Sequence, residues 1–269
     1  MIELVVAGVA GRMGGRITAL AREAADLRVV AGLECSGHAA LGRDAGEIAG
    51  IGPLGVVVSA EPGPMLTRDR VLVDFTSPEA ALHHLRLAAA QGARAVIGTT
   101  GFTPAQLHEL GALARGTAVL MSPNMSVGVN LVFRVLARMA RALGDDYDVE
   151  ITEIHHRMKK DAPSGTAQKM AEVIAEALGR DLDEVGVYGR HGLVGERGPK
   201  EIAVHALRGG DVVGEHTVVF SGLGERLELT HRAHSRDTFA RGALRAARFI
   251  ATAAPGLYAM HDVLEPRGE

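Results

Sequence analysis

The N-terminal segment constrains the fold of this chain more than any other part of the sequence. Residues 2–9 are apolar apart from Glu3, residues 12–25 carry apolar side chains at helical spacing, and Gly8, Gly11 and Gly14 mark the transition between them. Such an apolar run is typical of a buried parallel strand. Glycines in a strand–helix turn let the backbone approach a pyrophosphate at the helix N-terminus. The segment therefore predicts a βαβ unit that binds a dinucleotide; a turn whose glycines serve only packing is the alternative.

An acidic residue supports the dinucleotide interpretation. Glu34 follows the second predicted strand, residues 27–33, and a carboxylate there can accept a hydrogen bond from a ribose 2′-hydroxyl and repel a 2′-phosphate. This favours NAD, although a strand-end glutamate in solvent is the alternative, and Arg12 or Arg16 could pair with a phosphate. Ala10 stands where the standard fingerprint has its second glycine, so the glycine pattern is a variant one.

Strands and helices alternate up to about residue 126. Further strands are predicted at residues 71–75, 93–98 and 117–121. Ser77 and Thr103, each followed by proline, are typical helix starts. Repeated β-α-β units predict a parallel sheet with helices on both faces. The loops after its strands, such as residues 98–101 and 122–125, would then line a ligand crevice, although ordinary turn chemistry accounts for either loop alone.

The pattern changes after residue 126. The predicted elements there are a helix at 127–143, a strand at 149–155, a helix at 164–178 capped by Ser164, three strand-like runs between 201 and 231, and a helix at 237–253. Consecutive strands without crossover helices imply a mixed or antiparallel sheet. We therefore expect an α/β protein with an N-terminal Rossmann-like parallel sheet and a second α+β domain built on a mixed sheet. Residues 1–126, with 237–269 packed back on them, would bind the dinucleotide, and residues 127–236 would bind substrate and form oligomer contacts.

The densest polar cluster of the sequence lies at residues 153–166. It joins the end of a predicted strand to the start of a helix and contains two histidines and two lysines. Histidines exchange protons near neutral pH, a lysine can stabilise a developing anion, and N–H groups of Gly165 and Thr166 at a helix start suit a carboxylate. Metal binding is disfavoured because His155 and His156, adjacent on a strand, point to opposite faces. We predict no metal site.

Composition excludes several other functions. The single cysteine rules out an intramolecular disulfide and a four-cysteine zinc site. A net charge of −3, 3% aromatic residues and no tryptophan argue against a nucleic-acid partner. The sequence has neither an apolar run long enough to span a membrane nor the pattern of a secretory signal. We therefore expect a cytoplasmic protein with no membrane or nucleic-acid partner.

Several motifs together resemble one enzyme family. VAGVAGRMG, DFTSPE, GTTGF, SPNMSVGVN and EITEIHHRMKKDAPSGTA occur in this order, followed by RGGDVVGEHTVVF, GERLELTHRAHSRDTFARGAL and PGLYAMHDVL. They resemble the 4-hydroxy-tetrahydrodipicolinate reductases, formerly called dihydrodipicolinate reductases, over essentially the whole chain. The resemblance implies NADH- or NADPH-dependent reduction of a cyclic dicarboxylate, with loss of water, in the diaminopimelate route to lysine. It also implies a homotetramer.

The resemblance also implies roles for individual residues. His155 would be the acid/base residue and Lys159 the proton donor, and His156, Gly165 and Thr166 would bind substrate. Glu34 would hold the adenosine ribose. The other implied cofactor contacts are Gly8, Val9, Ala10, Gly11, Arg12 and Met13 at the pyrophosphate, and Gly98, Thr99, Thr100, Ser122, Pro123, Asn124 and Met125 in two later loops. Members that use NADPH well often carry arginine where this chain has Cys35, so we expect NADH to be at least as good a cofactor.

Two other functions remain open at this point. Another nicotinamide-dependent dehydrogenase on the same two-domain plan would keep the first half but lack the HHxxKxDAPSGTA run. A non-catalytic, cofactor-sensing relative would be expected to have lost Lys159 or the histidine pair, and this chain keeps both.

Overall fold

The computed structural model describes residues 1–264, which fall into two compact units. The first unit comprises residues 1–127 and the chain from residue 236 onward, and the second comprises residues 128–235. Among the described residues, no helix is long and apolar enough to cross a membrane.

The first unit begins with alternating strands and helices. In chain order they are β1 (Ile2–Ala7), α1 (Arg12–Glu23), β2 (Leu27–Leu33), α2 (Ala45–Ile48), β3 (Val58–Ser59), β4 (Arg70–Asp74), α3 (Pro78–Gln91), β5 (Arg94–Ile97), α4 (Pro104–Leu113) and β6 (Ala118–Met121). All strand pairs are parallel, in the order β6-β5-β4-β1-β2-β3. The Rossmann-like parallel sheet predicted from the sequence is confirmed.

Local sequence explains where the helices of this unit start. The Ser77 hydroxyl accepts a hydrogen bond from the Ala80 N–H at 3.3 Å, and Pro78 is the first residue of α3. Thr103 and Gln106 form a capping box at the start of α4, in which each side chain accepts a hydrogen bond from the backbone N–H of the other residue. Both starts match the predicted ones, because capping depends only on residues within one turn.

The strand register aligns the carboxyl ends of five strands. Ala7 lies opposite both Leu33 and Asp74, and Ile97 lies opposite both Asp74 and Met121. The segments that follow these residues therefore leave the sheet at one edge, where ligands of open α/β sheets bind.

The second unit is built on a mixed sheet. Its elements are α5 (Val127–Leu143), β7 (Asp148–His155), α6 (Gly165–Leu178), α7 (Leu182–Val185), β8 (Gly186–Val187), β9 (Ile202–Arg208), β10 (Gly214–Gly222) and β11 (Glu225–Ala233). The order is β11-β10-β7-β9-β8, with β10 antiparallel to both neighbours and the remaining pairs parallel. The predicted mixed sheet is confirmed. Helices α5 and α6 cover one face, where Leu136, Met170, Ile174 and Phe220 are buried.

The chain then returns to the first unit with α8 (Asp237–Ile250), β12 (Gly256–Tyr258) and α9 (Met260–Leu264). Helix α8 buries a row of small side chains in the same core as Ile17 of α1. A Cβ on Gly242 would lie 1.7 Å from the Met125 carbonyl oxygen, so only glycine fits there. Strand β12 pairs parallel with β6 and becomes the seventh strand, which the sequence did not predict.

Candidate active site

The glycine turn after β1 is shaped by close backbone contact. Gly8 has φ of +70°, a conformation that favours glycine. A Cβ on Gly14 would lie 2.1 Å from the Gly8 carbonyl oxygen and 2.7 Å from the Val9 Cα. Gly11 is the N-cap of α1 and provides no side-chain cap. The first turn of α1 thus presents backbone N–H groups beside the turn, an arrangement that suits an anion.

Glu34 is tied to this turn. Its Oε1 accepts a hydrogen bond from the Ala10 N–H at 2.9 Å. The sequence predicted that Glu34 lies near the glycines, but it did not predict this hydrogen bond. The bond holds the carboxylate at the end of β2. Arg12 is exposed, Met13 is half-buried and Val9 lies in the core. A contact from Val9 to a ligand would therefore have to come from its backbone.

A cavity of about 540 Å³ opens at this edge of the sheet. It brings Gly8, Ala10 and Gly11 together with Glu34 and Cys35. It is also lined by Thr76, which follows β4, and by His83 and His84, for which the sequence predicted no role. Glycines, an acid and a cavity at the switch point of a parallel sheet are the features that a dinucleotide site needs.

A buried carboxylate supports the neighbouring loops. Asp74 is fully buried at the end of β4, and its Oδ2 lies 2.7 Å from His84 Nδ1. Its Oδ1 accepts hydrogen bonds from the hydroxyls of Thr76 at 2.6 Å and Thr99 at 3.1 Å. The Thr99 side chain is therefore turned into the protein, so that any cofactor contact there would use its backbone.

The other two predicted loop segments also lie at this edge. A Cβ on Gly98 would come within 2.2 Å of the Phe75 ring, and Thr100 is exposed. The Ser122 N–H donates to the Ile97 carbonyl at 3.1 Å, and its hydroxyl donates to the Asn124 carbonyl at 2.7 Å.

Within this second loop the side chains differ in exposure. Pro123 is exposed, Asn124 accepts from the Ser126 N–H at 2.9 Å, and Met125 is buried. The loop is braced by its own hydrogen bonds, and its contact with a cofactor stays a prediction.

The chemical cluster of the second unit centres on His155, the last residue of β7. Alternation along β7 places Glu153 and His155 on the face that carries Val149 and Ile151 into the core. The His155 Nδ1 lies 2.5 Å from Glu153 Oε2. A Cβ on Gly214 of β10 would lie 2.9 Å from His155 Nε2, so glycine leaves space beside that nitrogen.

Glu153 is fully buried and has four donors. Arg208 donates to both carboxylate oxygens, at 2.8 and 2.9 Å, and the Ser164 N–H donates to Oε1 at 3.0 Å. Burial alone would raise the pKa of Glu153, but the hydrogen bonds from His155, Arg208 and Ser164 lower it to about 2. Glu153 is therefore ionised at neutral pH and acts only as an acceptor.

A second histidine lies against His155. The two rings of His155 and His216 are edge to face with centroids 5.1 Å apart. His216 Nε2 lies 3.0 Å from the Ser164 hydroxyl, and burial, with a further contribution from nearby His155, lowers the pKa of His216 to about 4. The buried His216 Nδ1 has no hydrogen-bond partner among the described residues. His216 is thus neutral at physiological pH.

The loop between β7 and α6 carries the predicted lysine. Lys159 Nζ donates to both oxygens of Asp161, at 2.9 and 2.8 Å, and this bond lowers the pKa of Asp161. His156 is half-buried at the start of the loop. The loop therefore places the Lys159 ammonium group four residues after His155 in the chain.

Gly165 and Thr166 are the first two residues of α6. Ser164 caps the helix by accepting from the Ala167 N–H at 3.2 Å, as predicted. Gly165 is exposed. The helix N-terminus therefore lies directly after the loop that carries Lys159, where its dipole favours a negative ligand.

Four residues of this cluster were not predicted from the sequence to have a role: Glu153, Asp161, Arg208 and His216. Glu153 could have been found from the period of two, which puts it on the same strand face as His155. Arg208 and His216 carry no local signal, since strand pairing brings them to β7 from far along the chain. In the described chain, no three His, Cys, Asp or Glu side chains are grouped to hold a metal ion.

The two-unit fold, the cavity beside the glycine turn and the cluster around His155 are together typical of one class of protein, the oxidoreductases that use a nicotinamide cofactor. Family models for dihydrodipicolinate reductase match the chain twice, the N-terminal model at residues 2–125 and the C-terminal model at residues 128–264. The chain belongs to the 4-hydroxy-tetrahydrodipicolinate reductase family.

Individual relatives agree with this assignment. A 4-hydroxy-tetrahydrodipicolinate reductase from Syntrophus aciditrophicus is 52% identical over 98% of each chain. One from Anaeromyxobacter dehalogenans is 53% identical over 100% of this chain and 99% of its own. The solved dihydrodipicolinate reductase from Paenisporosarcina sp. TG-14, with dipicolinate bound, is 27% identical with a TM-score of 0.76 over 96% of this chain and 97% of its own. An amine dehydrogenase from Mycobacterium smegmatis, 16% identical with a TM-score of 0.61 over 96% of this chain and 95% of its own, shares the fold.

Proposed function

We propose that this protein reduces 4-hydroxy-tetrahydrodipicolinate, with loss of water, at the cluster around His155 and Lys159. Membership of the reductase family supports the reaction. The observation that carries the assignment of the site is the Glu153–His155 pair beside a loop with an ammonium group and a helix N-terminus. A reduced nicotinamide, when bound, supplies the hydride.

The lining of the cavity in the first unit supports its proposed role as the dinucleotide site. Its glycine turn offers backbone N–H groups to a pyrophosphate, and Glu34 offers a carboxylate to a ribose hydroxyl. The carboxylate of Glu34 would repel a 2′-phosphate, and Cys35 adds no compensating positive charge. NADH is therefore expected to be at least as good a cofactor as NADPH.

The residues of the second unit would bind the substrate and deliver its proton. A cyclic dicarboxylate needs hydrogen-bond donors, which His156 and the N–H groups of Gly165 and Thr166 would provide. Reduction leaves negative charge on the ring, and the Lys159 ammonium would donate the proton that neutralises it. His155, whose Nδ1 is engaged by Glu153, would exchange protons at Nε2.

The roles of the two units follow from these sites. Residues 1–126 with 237–269 would bind the dinucleotide, and residues 127–236 would bind substrate and form a homotetramer. The edge strand β11, which pairs only with β10 within the described chain and exposes Leu227, supports an assembly role for the second sheet. A cytoplasmic location stays a prediction of the sequence.

A coupled assay tests the proposed function. Wild-type protein should oxidise NADH when supplied with the product of dihydrodipicolinate synthase. The Lys159→Ala variant should lose roughly 10²-fold in kcat, because it lacks the proton donor, while its dissociation constant for NADH stays unchanged. Lys169→Ala, which removes an exposed lysine paired with Glu172 on α6, is the matched control and should behave as wild type. No NADH oxidation by wild type, or full turnover by Lys159→Ala, would contradict the proposal.

A further inference from the structure

We propose that Glu153 is a positioning residue for His155, fixing the tautomer in which Nδ1 carries the hydrogen and Nε2 is the proton-exchanging nitrogen. The inference rests on the proposed function, since it assigns the orientation of that same acid/base group. The 2.5 Å contact between His155 Nδ1 and Glu153 Oε2 carries it. An ionised carboxylate has no hydrogen to donate, so the hydrogen in this contact belongs to Nδ1.

Four donors prevent the Glu153 carboxylate from rotating. Oε2 accepts hydrogen bonds from His155 Nδ1 and from one Arg208 nitrogen. Oε1 accepts hydrogen bonds from the Ser164 N–H and from the other Arg208 nitrogen. These donors come from β7, β9 and the cap of α6, so the carboxylate is held by three separate elements. With all acceptor sites used, the ring of His155 has one hydrogen-bonded orientation available at Nδ1.

Arg208 extends this support to the loop that carries Lys159. Besides its two bonds to Glu153, its guanidinium donates to the Asp161 carbonyl at 2.6 Å. The positive charge of Arg208 balances the buried negative charge of Glu153, which would otherwise be costly in this site. Removal of Glu153 would therefore disturb both the ring and the arginine, so the test needs a variant that keeps the shape of the side chain.

The second ring nitrogen of His155, Nε2, has no hydrogen-bond partner among the described residues, since the hydrogen bond of the ring is made by Nδ1. His216, which packs edge to face on His155, is neutral, and Gly214 places no side chain beside Nε2. Nε2 is therefore not bonded by the residues that contact the ring, whereas Nδ1 is. This difference between the two nitrogens is what a proton-exchanging histidine requires.

The experiment measures the ring directly. Selective ¹⁵N-histidine labelling and NMR should show the Nδ1–H tautomer for His155 in wild type, with its signal assigned from the spectrum of His155→Gln. In Glu153→Gln the amide can donate to Nδ1, so the tautomer should change to Nε2–H. The same variant should lose roughly 10²-fold in kcat, as expected for a misdirected general acid/base, with an unchanged dissociation constant for NADH.

Two further variants separate positioning from structural support. Glu153→Asp keeps the charge and should restore the Nδ1–H tautomer with part of the turnover. Glu150→Gln is the matched control, because Glu150 lies on the same strand, is paired with Arg190 and Arg197 and also has a pKa lowered to about 2, but points to the opposite face of β7. It should leave the His155 tautomer and kcat unchanged.

The outcomes that overturn the inference are distinct from those that overturn the proposed function. An Nε2–H tautomer in wild type overturns it even if Glu153→Gln does not fold. A folded Glu153→Gln protein that keeps the wild-type tautomer also overturns it, whatever its turnover. Full turnover by His155→Gln would instead refute the acid/base role of His155, and the tautomer measurement would still decide what Glu153 does to the ring.

Discussion

Cys35 stands beside the carboxylate that we assign to the adenosine ribose. It is exposed and lines the same cavity as Glu34. Selectivity between NADH and NADPH at this position would depend on one charge, because a 2′-phosphate needs a cation and neither of the two adjacent residues, a glutamate and a cysteine, provides one.

Introducing that charge should change cofactor preference. We expect Cys35→Arg to raise kcat/KM for NADPH about tenfold, the effect of one charge-assisted contact of about 1.4 kcal/mol, with little change for NADH. Steady-state kinetics with both cofactors would measure it, and Cys35→Ala, which adds no charge, should keep the wild-type ratio. An arginine variant with an unaltered ratio would place the 2′-phosphate elsewhere.

In the turn between β1 and α1, the first turn of α1 packs directly on the backbone of Gly8 and Val9. Gly14 is buried in the first turn of α1, where a Cβ would meet the Gly8 carbonyl oxygen at 2.1 Å. A methyl group there must push α1 away from the turn, and with it the N–H groups that we assign to the pyrophosphate.

Gly14→Ala should therefore weaken NADH binding at least tenfold and lower the free energy of unfolding by about 1–3 kcal/mol, the cost of overpacking. Calorimetric titration with NADH and urea unfolding would measure both effects. Gly15→Ala is the control, since a Cβ at Gly15 has its closest neighbour 3.9 Å away. If both variants bound NADH like wild type, the turn would not be the pyrophosphate site.

Elements whose signals are local could be predicted, and elements that depend on a partner could not. Ser77, Thr103 and Ser164 identify helix starts because each cap bonds within its own first turn. Strands β3 and β12, of two and three residues, carry too few residues for a periodic pattern. These two strands form because β2 and β6 each have an edge whose backbone N–H and C=O groups would otherwise be unpaired.

At the scale of the whole molecule, the candidate site also combines residues that a local pattern identifies with residues that only the fold brings together. The run from His155 to Thr166 is contiguous, so its composition alone indicated chemistry. Arg208 and His216 reach His155 only through the register of β9 and β10 on β7, which no local pattern specifies. The hydrogen bond that Glu34 accepts from the Ala10 N–H likewise could not be predicted, because it depends on how two strand ends align.

Buried histidines should make the stability of the protein depend on pH. Burial lowers the pKa of His216 from 6.5 to about 4 and also lowers the pKa of His231. The folded state therefore binds these protons less readily than the unfolded state. The stability they contribute is fully present above pH 6.5 and is lost as pH falls toward 4, by about 3 kcal/mol for His216. Below pH 4.5 the carboxylates of Glu150 and Glu153, with pKa values of about 2, add a further loss.

Urea unfolding of wild type and His216→Gln between pH 7 and 4 would test this dependence. The variant should show a smaller fall in unfolding free energy across that range. His108→Gln, which replaces an exposed histidine of α4, should keep the wild-type fall. A wild-type slope in His216→Gln would assign the titration to other groups.

The parallel sheet is completed by strand β12, which follows the entire second unit in the chain. Until the ribosome has translated past residue 250, the apolar face that α8 covers has no helix on it, and until it has passed residue 258, β6 has no neighbour on its outer side. The first unit can therefore reach its final form only after the second has emerged. The outer edge of β6 is therefore unpaired from the translation of residue 121 until that of residue 258, and an unpaired strand edge can pair with another chain.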